Sequence, residues 1–217
     1  MLLAPDRKIV FIGDSITDCG RGRPVGEGIG GTLGNGYVQF IDAFLGATKP
    51  ELRLRVVNMG EGGNTVRELE ARWKRDILDL KPQYVSCMIG INDVWRQFDS
   101  PLQKEIHVGP EEYRDTLDRL IASTTPHVER VLVAAPFYIE PNKHDAMRAR
   151  MDEYGAYANE VAIEHGAIFV DVQAAFDAVL RHVHPNALAW DRVHPNATGH
   201  AIITRAFLKA VGVQWPA

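Results

Sequence analysis

The sequence predicts an α/β protein, a three-layer α/β/α sandwich of flavodoxin-like type around a five-stranded parallel sheet ordered 2-1-3-4-5. Three observations lead there. Short, β-branched apolar runs alternate with longer amphipathic runs along the whole chain, the pattern of a parallel sheet covered by helices on both faces. The first apolar run, Ile9-Val10-Phe11-Ile12, passes directly into Gly13-Asp14-Ser15, so a polar cluster sits at a strand's carboxyl end, where open α/β sheets place their ligands. The chain has 217 residues, 46% of them hydrophobic, which suits one compact domain spanning residues 1–217 with a full core.

The strands expected in order are Lys8–Ile12, Leu54–Val57, Tyr84–Ile89, Val131–Ala134 and Ala167–Val170, each short and bounded by turn residues. The helices expected are Tyr37–Gly46, Thr65–Leu80, Pro110–Ser123, Asp145–Glu164, a shorter one over Val172–Arg181, and a last one over Thr198–Val211. Pro110 followed by Glu111 and Glu112 marks a helix start, with proline at the first position and acids on the positive end of the dipole. Right-handed crossovers leave few topologies, and the order 2-1-3-4-5 brings the ends of the first and third strands, with Ser15 and Asn92, side by side. Residues 20–36 and 95–109 are expected as loops near that rim. The stretch Gly26-Glu27-Gly28-Ile29-Gly30-Gly31 fits the letters G-x-G-x-x-G, but it follows no strand and opens no helix, so a dinucleotide site is not predicted.

The net charge of −4 and the lack of any Lys/Arg block give no reason to expect nucleic acid or a membrane surface as partner. The opening residues Met1 to Lys8 lack the apolar core of a secretion signal, so a cytoplasmic protein is expected. Cys19 and Cys87 make no disulfide framework. No metal motif is present: His182, His184, Asp191 and His194 lack the cysteine pairs or the His-Glu-x-x-His helix that mark zinc. No cofactor is expected.

Four segments carry chemistry. Ser15 is a nucleophile candidate, and a serine needs a base to take its proton. Among eight histidines an internal comparison selects one. Val183-His184-Pro185-Asn186-Ala187 recurs as Val193-His194-Pro195-Asn196-Ala197, but only His194 has an aspartate, Asp191, three residues before it. A carboxylate on the far ring nitrogen fixes the tautomer that lets the near one accept a proton. Acyl transfer also needs donors aimed at the oxygen that becomes negative. The Ser15 N–H, one N–H among Gly60, Gly62 and Gly63, and the Asn92 amide qualify; spacing does not choose among the glycines. Asp14 and Asp93 read as acceptors for local backbone. Trp95 and Trp190 flank site residues and offer faces suited to sugar rings, to core packing or to a subunit contact.

Taken together, Gly13-Asp14-Ser15-Ile16, Asn58 through Thr65, Gly90-Ile91-Asn92-Asp93 and Asp191 through His194 resemble the conserved blocks of the GDSL (SGNH) hydrolases, in family order, with Ile16 in place of the usual leucine. The resemblance implies Ser15 as nucleophile, His194 and Asp191 as its base and acid, and Ser15, Gly63 and Asn92 as the oxyanion hole. Longer stretches (Gly13 to Arg21, Ile91 to Gln97, Pro136 to Glu140 and Ala189 to Pro195) resemble bacterial intracellular serine acetyl-xylan esterases. That implies removal of acetyl groups from xylo-oligosaccharides, with a general short-chain carboxylesterase, lipase or thioesterase as the alternative. Substrate contacts are expected at Asp14, Trp95 and Trp190, and the resemblance implies a homo-oligomer, an octamer in relatives of this kind.

Overall fold

The computed structural model describes residues 1–215. Its sheet has six strands: β1 (Lys8–Gly13), β2 (Gly26–Glu27), β3 (Arg55–Asn58), β4 (Tyr84–Met88), β5 (Arg130–Ala134) and β6 (Ile168–Val170), in the order β2-β3-β1-β4-β5-β6. The five parallel strands keep the predicted order. The sixth is an addition to the prediction: β2 pairs antiparallel to β3 through Gly26 and Glu27. It comes from the glycine-rich segment expected as loop. Two residues are too short to leave a periodic signal, and the pairing depends on contact: a Cβ on Gly26 would lie 2.7 Å from the Asn58 carbonyl oxygen, so only glycine approaches β3 this closely. Glu27 pairs with Arg55 across the edge, placing charge on an exposed sheet margin.

β1 lies between β3 and β4, with Val10 opposite Val57 on one side and Val85 on the other. A strand flanked on both edges and covered on both faces has no polar side, which is why Ile9 through Ile12 are apolar without alternation and almost wholly buried. One helical layer is α2 (Tyr37–Thr48), α7 (Val172–Leu180) and α8 (Ala197–Ala210); the other is α3 (Val66–Trp73), α4 (Ile91–Asp99), α5 (Pro110–Thr124) and α6 (Ala146–Glu164). The short α1 (Ser15–Asp18) follows β1 directly. α3 starts at a complete capping box, Thr65 with Glu68, and runs on through a π-helical turn over Lys74–Leu78.

α4 was not expected; that stretch read as a turn followed by a loop from 95. The helix opens at Gly90 with no side-chain cap, and its buried face holds Asn92 and Asp93 between Ile91 and Val94. Its apolar residues Ile91, Val94, Trp95 and Phe98 do recur at helical spacing, but Gly-Ile-Asn-Asp also spells a turn, and the turn reading prevailed over the periodic one.

Candidate active site

Three strand ends and one loop meet at the site. β1 is followed by Asp14, whose carboxylate accepts the Ile16 N–H at 2.9 Å and so caps α1. Ser15 is thereby the first residue of a helix, its own N–H free of any acceptor among the described residues. The capping role that a strand-end serine commonly takes has passed to Asp14. Asp14 is 1% exposed, and burial, against the Ile16 bond and the charges of His194 and Arg72, pushes its carboxyl up to about 7. It offers substrate no surface, so its expected substrate contact is corrected to a structural one.

The structure brings Ser15, His194 and Asp191 into one line. Ser15 Oγ–H donates to His194 Nε2 at 2.9 Å, and His194 Nδ1–H donates to Asp191 Oδ2 at 2.6 Å. An ionised carboxylate only accepts, which assigns the proton to Nδ1 and leaves Nε2 as acceptor. Asp191 Oδ1 takes the N–H groups of Val193 and His194 at 3.0 and 2.8 Å. Burial acts to raise this carboxyl, but the bonds from the His194 ring and from those two amides outweigh it and hold Asp191 below the ordinary carboxylate range. The tight turn between acid and base places Arg192 at φ +63°, a left-handed conformation that a bulky side chain adopts only when held. The holder is the segment after β5: Ile139 N–H donates to the Arg192 carbonyl at 2.9 Å, and Glu140 forms an ion pair with the Arg192 guanidinium.

The geometry distinguishes the three glycines that spacing left open. Gly60 N–H donates to Asn58 Oδ1 at 2.9 Å and Gly62 N–H to Asp18 Oδ2 at 3.2 Å. Gly63, at φ +79°, has no acceptor for its N–H among the described residues. Asn92 Nδ2 gives one hydrogen to the Asn64 carbonyl at 2.9 Å, and Arg96 donates to Asn92 Oδ1 at 3.3 Å. Both bonds demand the same orientation of the amide, leaving the second Nδ2 hydrogen free. Asp93 accepts a distant N–H, that of Val66, at 2.9 Å, not a local one as expected. It thus fastens the start of α3 to α4.

Trp95 packs edge-on against the His194 ring, centroids 5.8 Å apart, with the Arg96 guanidinium 4.9 Å from its own ring. Trp190 is 83% exposed. Cys19 is engaged elsewhere, its sulfur 3.3 Å from His200 Nε2. Burial, with Asp18 and Asp14 nearby, pushes its thiol up to about 11, so it carries no thiolate at neutral pH.

Sequence reasoning missed Arg72, Asn64 and the Glu140–Arg192 pair. Arg72 had a visible signal. Val66, Leu69, Trp73 and Ile77 form the apolar stripe of α3 and its continuation, and Arg72 and Asp76, a charged pair four apart, fall on that same stripe.

A serine bonded to a carboxylate-backed imidazole, at the end of the first strand of a flavodoxin-like sheet, defines a serine hydrolase of acyl groups. The chain belongs to the GDSL-like lipase/acylhydrolase family, whose model matches residues 11–202, and it is a carboxylic ester hydrolase. It is 54% identical to the acetylxylan esterase of Geobacillus stearothermophilus over 215 residues, 99% of this chain and 98% of the relative. The crystal structure of that enzyme superposes with a TM-score of 0.98 at 53% identity, over 100% of this chain and 99% of the other. Solved variants of the Geobacillus enzyme described as catalytic mutants are S15A, H194A and D191A in its own numbering. LAE5, an alpha/beta hydrolase enzyme from the metagenome of Lake Arreo, Spain, superposes with a TM-score of 0.97 at 56% identity, over 98% of each chain.

Proposed function

We propose that this protein, as one hydrolase domain over residues 1–217, removes acetyl groups from acetylated xylo-oligosaccharides through an acyl-enzyme. The observation that carries the chemistry is the Ser15–His194–Asp191 line at 2.9 and 2.6 Å; the likeness to the Geobacillus enzyme supports the substrate. Ser15 Oγ attacks the acetyl carbonyl while His194 Nε2 takes its proton. The carbonyl oxygen, now negative, is met by the N–H groups of Ser15 and Gly63 and by the free Asn92 Nδ2 hydrogen, donors each worth about 2.7–4 kcal/mol in such a site. His194, now a cation facing Asp191, returns the proton to the departing sugar hydroxyl. Water enters, gives its proton to His194 and attacks the acetyl-serine; collapse returns that proton to Ser15 Oγ and releases acetic acid, which ionises to acetate.

Trp95, beside the base, and the exposed Trp190 are the side chains we assign to the sugar. We further infer a homo-oligomer, the octamer that the resemblance implies; Ile29 and Leu102, both more than 90% exposed, are apolar side chains open to such contacts, and a monomer mass in sedimentation would refute it. No helix among the described residues is long and apolar enough to cross a membrane. We infer a cytoplasmic location, which activity found chiefly in the culture medium would contradict.

The test is acetate release from acetylated xylo-oligosaccharides, wild type beside Ser15→Ala, with p-nitrophenyl acetate and octanoate in parallel. Release of acetate from the oligosaccharides by wild type, lost by at least 10³-fold in Ser15→Ala, is expected. Equal release by both proteins would overturn the serine mechanism. Cleavage of octanoate in preference to both acetyl substrates would overturn the carbohydrate assignment and leave the chemistry standing.

A further inference from the structure

The donors assigned to the oxyanion come from three separate segments: the turn after β1, the loop after β3, and α4. Nothing covalent holds them in register, and an error of a few tenths of an ångström at such donors costs rate. The buried side chain of Arg72, 8% exposed, reaches two of the three segments directly and the third through one residue. Its Nη2 donates to the Gly13 carbonyl at 2.8 Å, two residues before Ser15. Its Nη1 donates to the Met59 carbonyl at 2.7 Å, and its Nε to Asn64 Oδ1 at 2.7 Å, so the bonds bracket the segment that holds Gly63. Asn64 then passes the restraint on, because its backbone carbonyl accepts from Asn92 Nδ2 at 2.9 Å. The Gly13 carbonyl also accepts the Glu61 N–H at 3.0 Å, closing the first two segments on each other. Asp76, 1% exposed, faces Nη1 at 2.8 Å; it neutralises the buried charge, and Arg75 from the surface pairs with it in turn.

We propose that Arg72 is a positioning residue for ester hydrolysis: one guanidinium that locks the segments bearing Ser15, Gly63 and Asn92 into a single oxyanion-binding frame. The proposal rests on the reading of that site given above. A planar fork with fixed donor directions suits the task, since several carbonyl oxygens at set angles take its hydrogens at once. A lysine ammonium in the same place holds the charge against Asp76 but reaches only one or two of the acceptors. Arg72 touches neither substrate nor base. Its effect therefore falls on stabilisation of the transition state, not on substrate affinity or on the titration of His194.

Arg72→Lys and Asn64→Ala, each with its melting temperature measured, test this. Asn64→Ala cuts one bond to the Gly63 segment and leaves the Arg72–Asp76 pair intact. With p-nitrophenyl acetate, Arg72→Lys is expected to lose at least 30-fold in kcat and Asn64→Ala about 10-fold, with KM within threefold of wild type. The pH of half-maximal rate stays at the wild-type value. Inactivation by a p-nitrophenyl phosphonate, whose phosphoryl oxygen occupies the same donors, slows by the same factors. A folded Arg72→Lys with kcat within threefold of wild type overturns the proposal, as does a loss confined to KM or one accompanied by a shifted pH profile. If Arg72→Lys does not fold, Asn64→Ala decides alone, and kcat within twofold of wild type overturns it. Activity retained by Ser15→Ala would instead bring down the serine mechanism itself, so the two failures are distinguishable.

Discussion

The two halves of the site are mounted differently. The half that faces the oxyanion is built on strand ends and helix starts and is tied by buried bonds: Asn92, Asp93, Asn64 and Arg72 are each at most 8% exposed. The half that moves the proton is a loop between α7 and α8, and the His194 side chain is 41% exposed while Asp191 beneath it is 8% exposed. The contrast follows from the two tasks. Donors for a developing charge work by not moving, whereas an imidazole must exchange partners between serine, leaving group and water. It teaches that cutting a bond in the first half costs stability together with rate, whereas changes in the second cost mainly rate.

The sharpest way to break that comparison is Asn92→Ala. It removes an oxyanion donor and leaves the buried Asn64 carbonyl without its partner. The expected loss in kcat is about 10²–10³-fold, that is about 2.7–4 kcal/mol, with a melting temperature lowered by several degrees for an unsatisfied buried acceptor worth about 1–3 kcal/mol. Steady-state kinetics and a thermal melt of the same preparation check both. An unchanged melt would show that the buried half is no more structural than the loop.

How much of this was legible beforehand differs along the same line. The parallel five-strand order followed from alternation, because a strand covered on both faces has no choice but an apolar run. Ser15, Asp191 and His194 were visible because each stands in a short motif whose letters imply its neighbours. The fastenings were not visible. Arg72, Glu140 and Asp93 act across 59, 52 and 27 residues respectively, and sequence spacing does not report long-range partners. Asp14 carries two readings in the sequence, local backbone acceptor and substrate contact, since a polar residue beside a nucleophile looks the same on paper whether it points out or caps a helix; its bond from the Ile16 N–H bears out the first. α4 was missed for a different reason: Ile91, Val94, Trp95 and Phe98 stand at helical spacing, but the turn letters of Gly90 to Asp93 at a strand end outweighed that period.

A smaller effect is expected on the half that moves the proton. Glu140, 7% exposed, pairs with Arg192 and takes the Asn142 N–H at 2.8 Å on its other oxygen. Glu140→Gln keeps the volume and that N–H bond but loses the charge that holds the left-handed turn between acid and base. Loosening that turn misplaces the base and is expected to cost roughly fivefold in kcat, while an ion pair to the partly exposed Arg192 adds only about 0.5 kcal/mol to folding, so the melting temperature stays within about 2 °C of wild type. A fall in melting temperature as large as that of Asn92→Ala would erase the difference between the halves.

The least effect on rate, and the most telling one on stability, belongs to Asp93. It is wholly buried, one oxygen accepts from Val66 and the other has no partner among the described residues. Burial, in spite of the Val66 bond, pushes its carboxyl up to about 7, with Asp14 and Glu68 adding in the same direction. The folded protein therefore keeps a proton there at a pH where the unfolded chain, titrating near 4, has lost it. Stability contributed by this group is full below about pH 4, falls as pH climbs toward 7, and stays lost above that. Asp14, also raised to about 7, contributes with the same sign. Asp93→Asn preserves the acceptor for Val66 and removes one of the two titrations. Melts at pH 5 and pH 8 are expected to differ by a few degrees less in Asp93→Asn than in wild type, with kcat at pH 8 within about twofold. If the two proteins show the same difference between pH 5 and pH 8, Asp93 is charged in the folded state at no cost, and the buried half holds its segments together without the burden of an unpaired carboxyl.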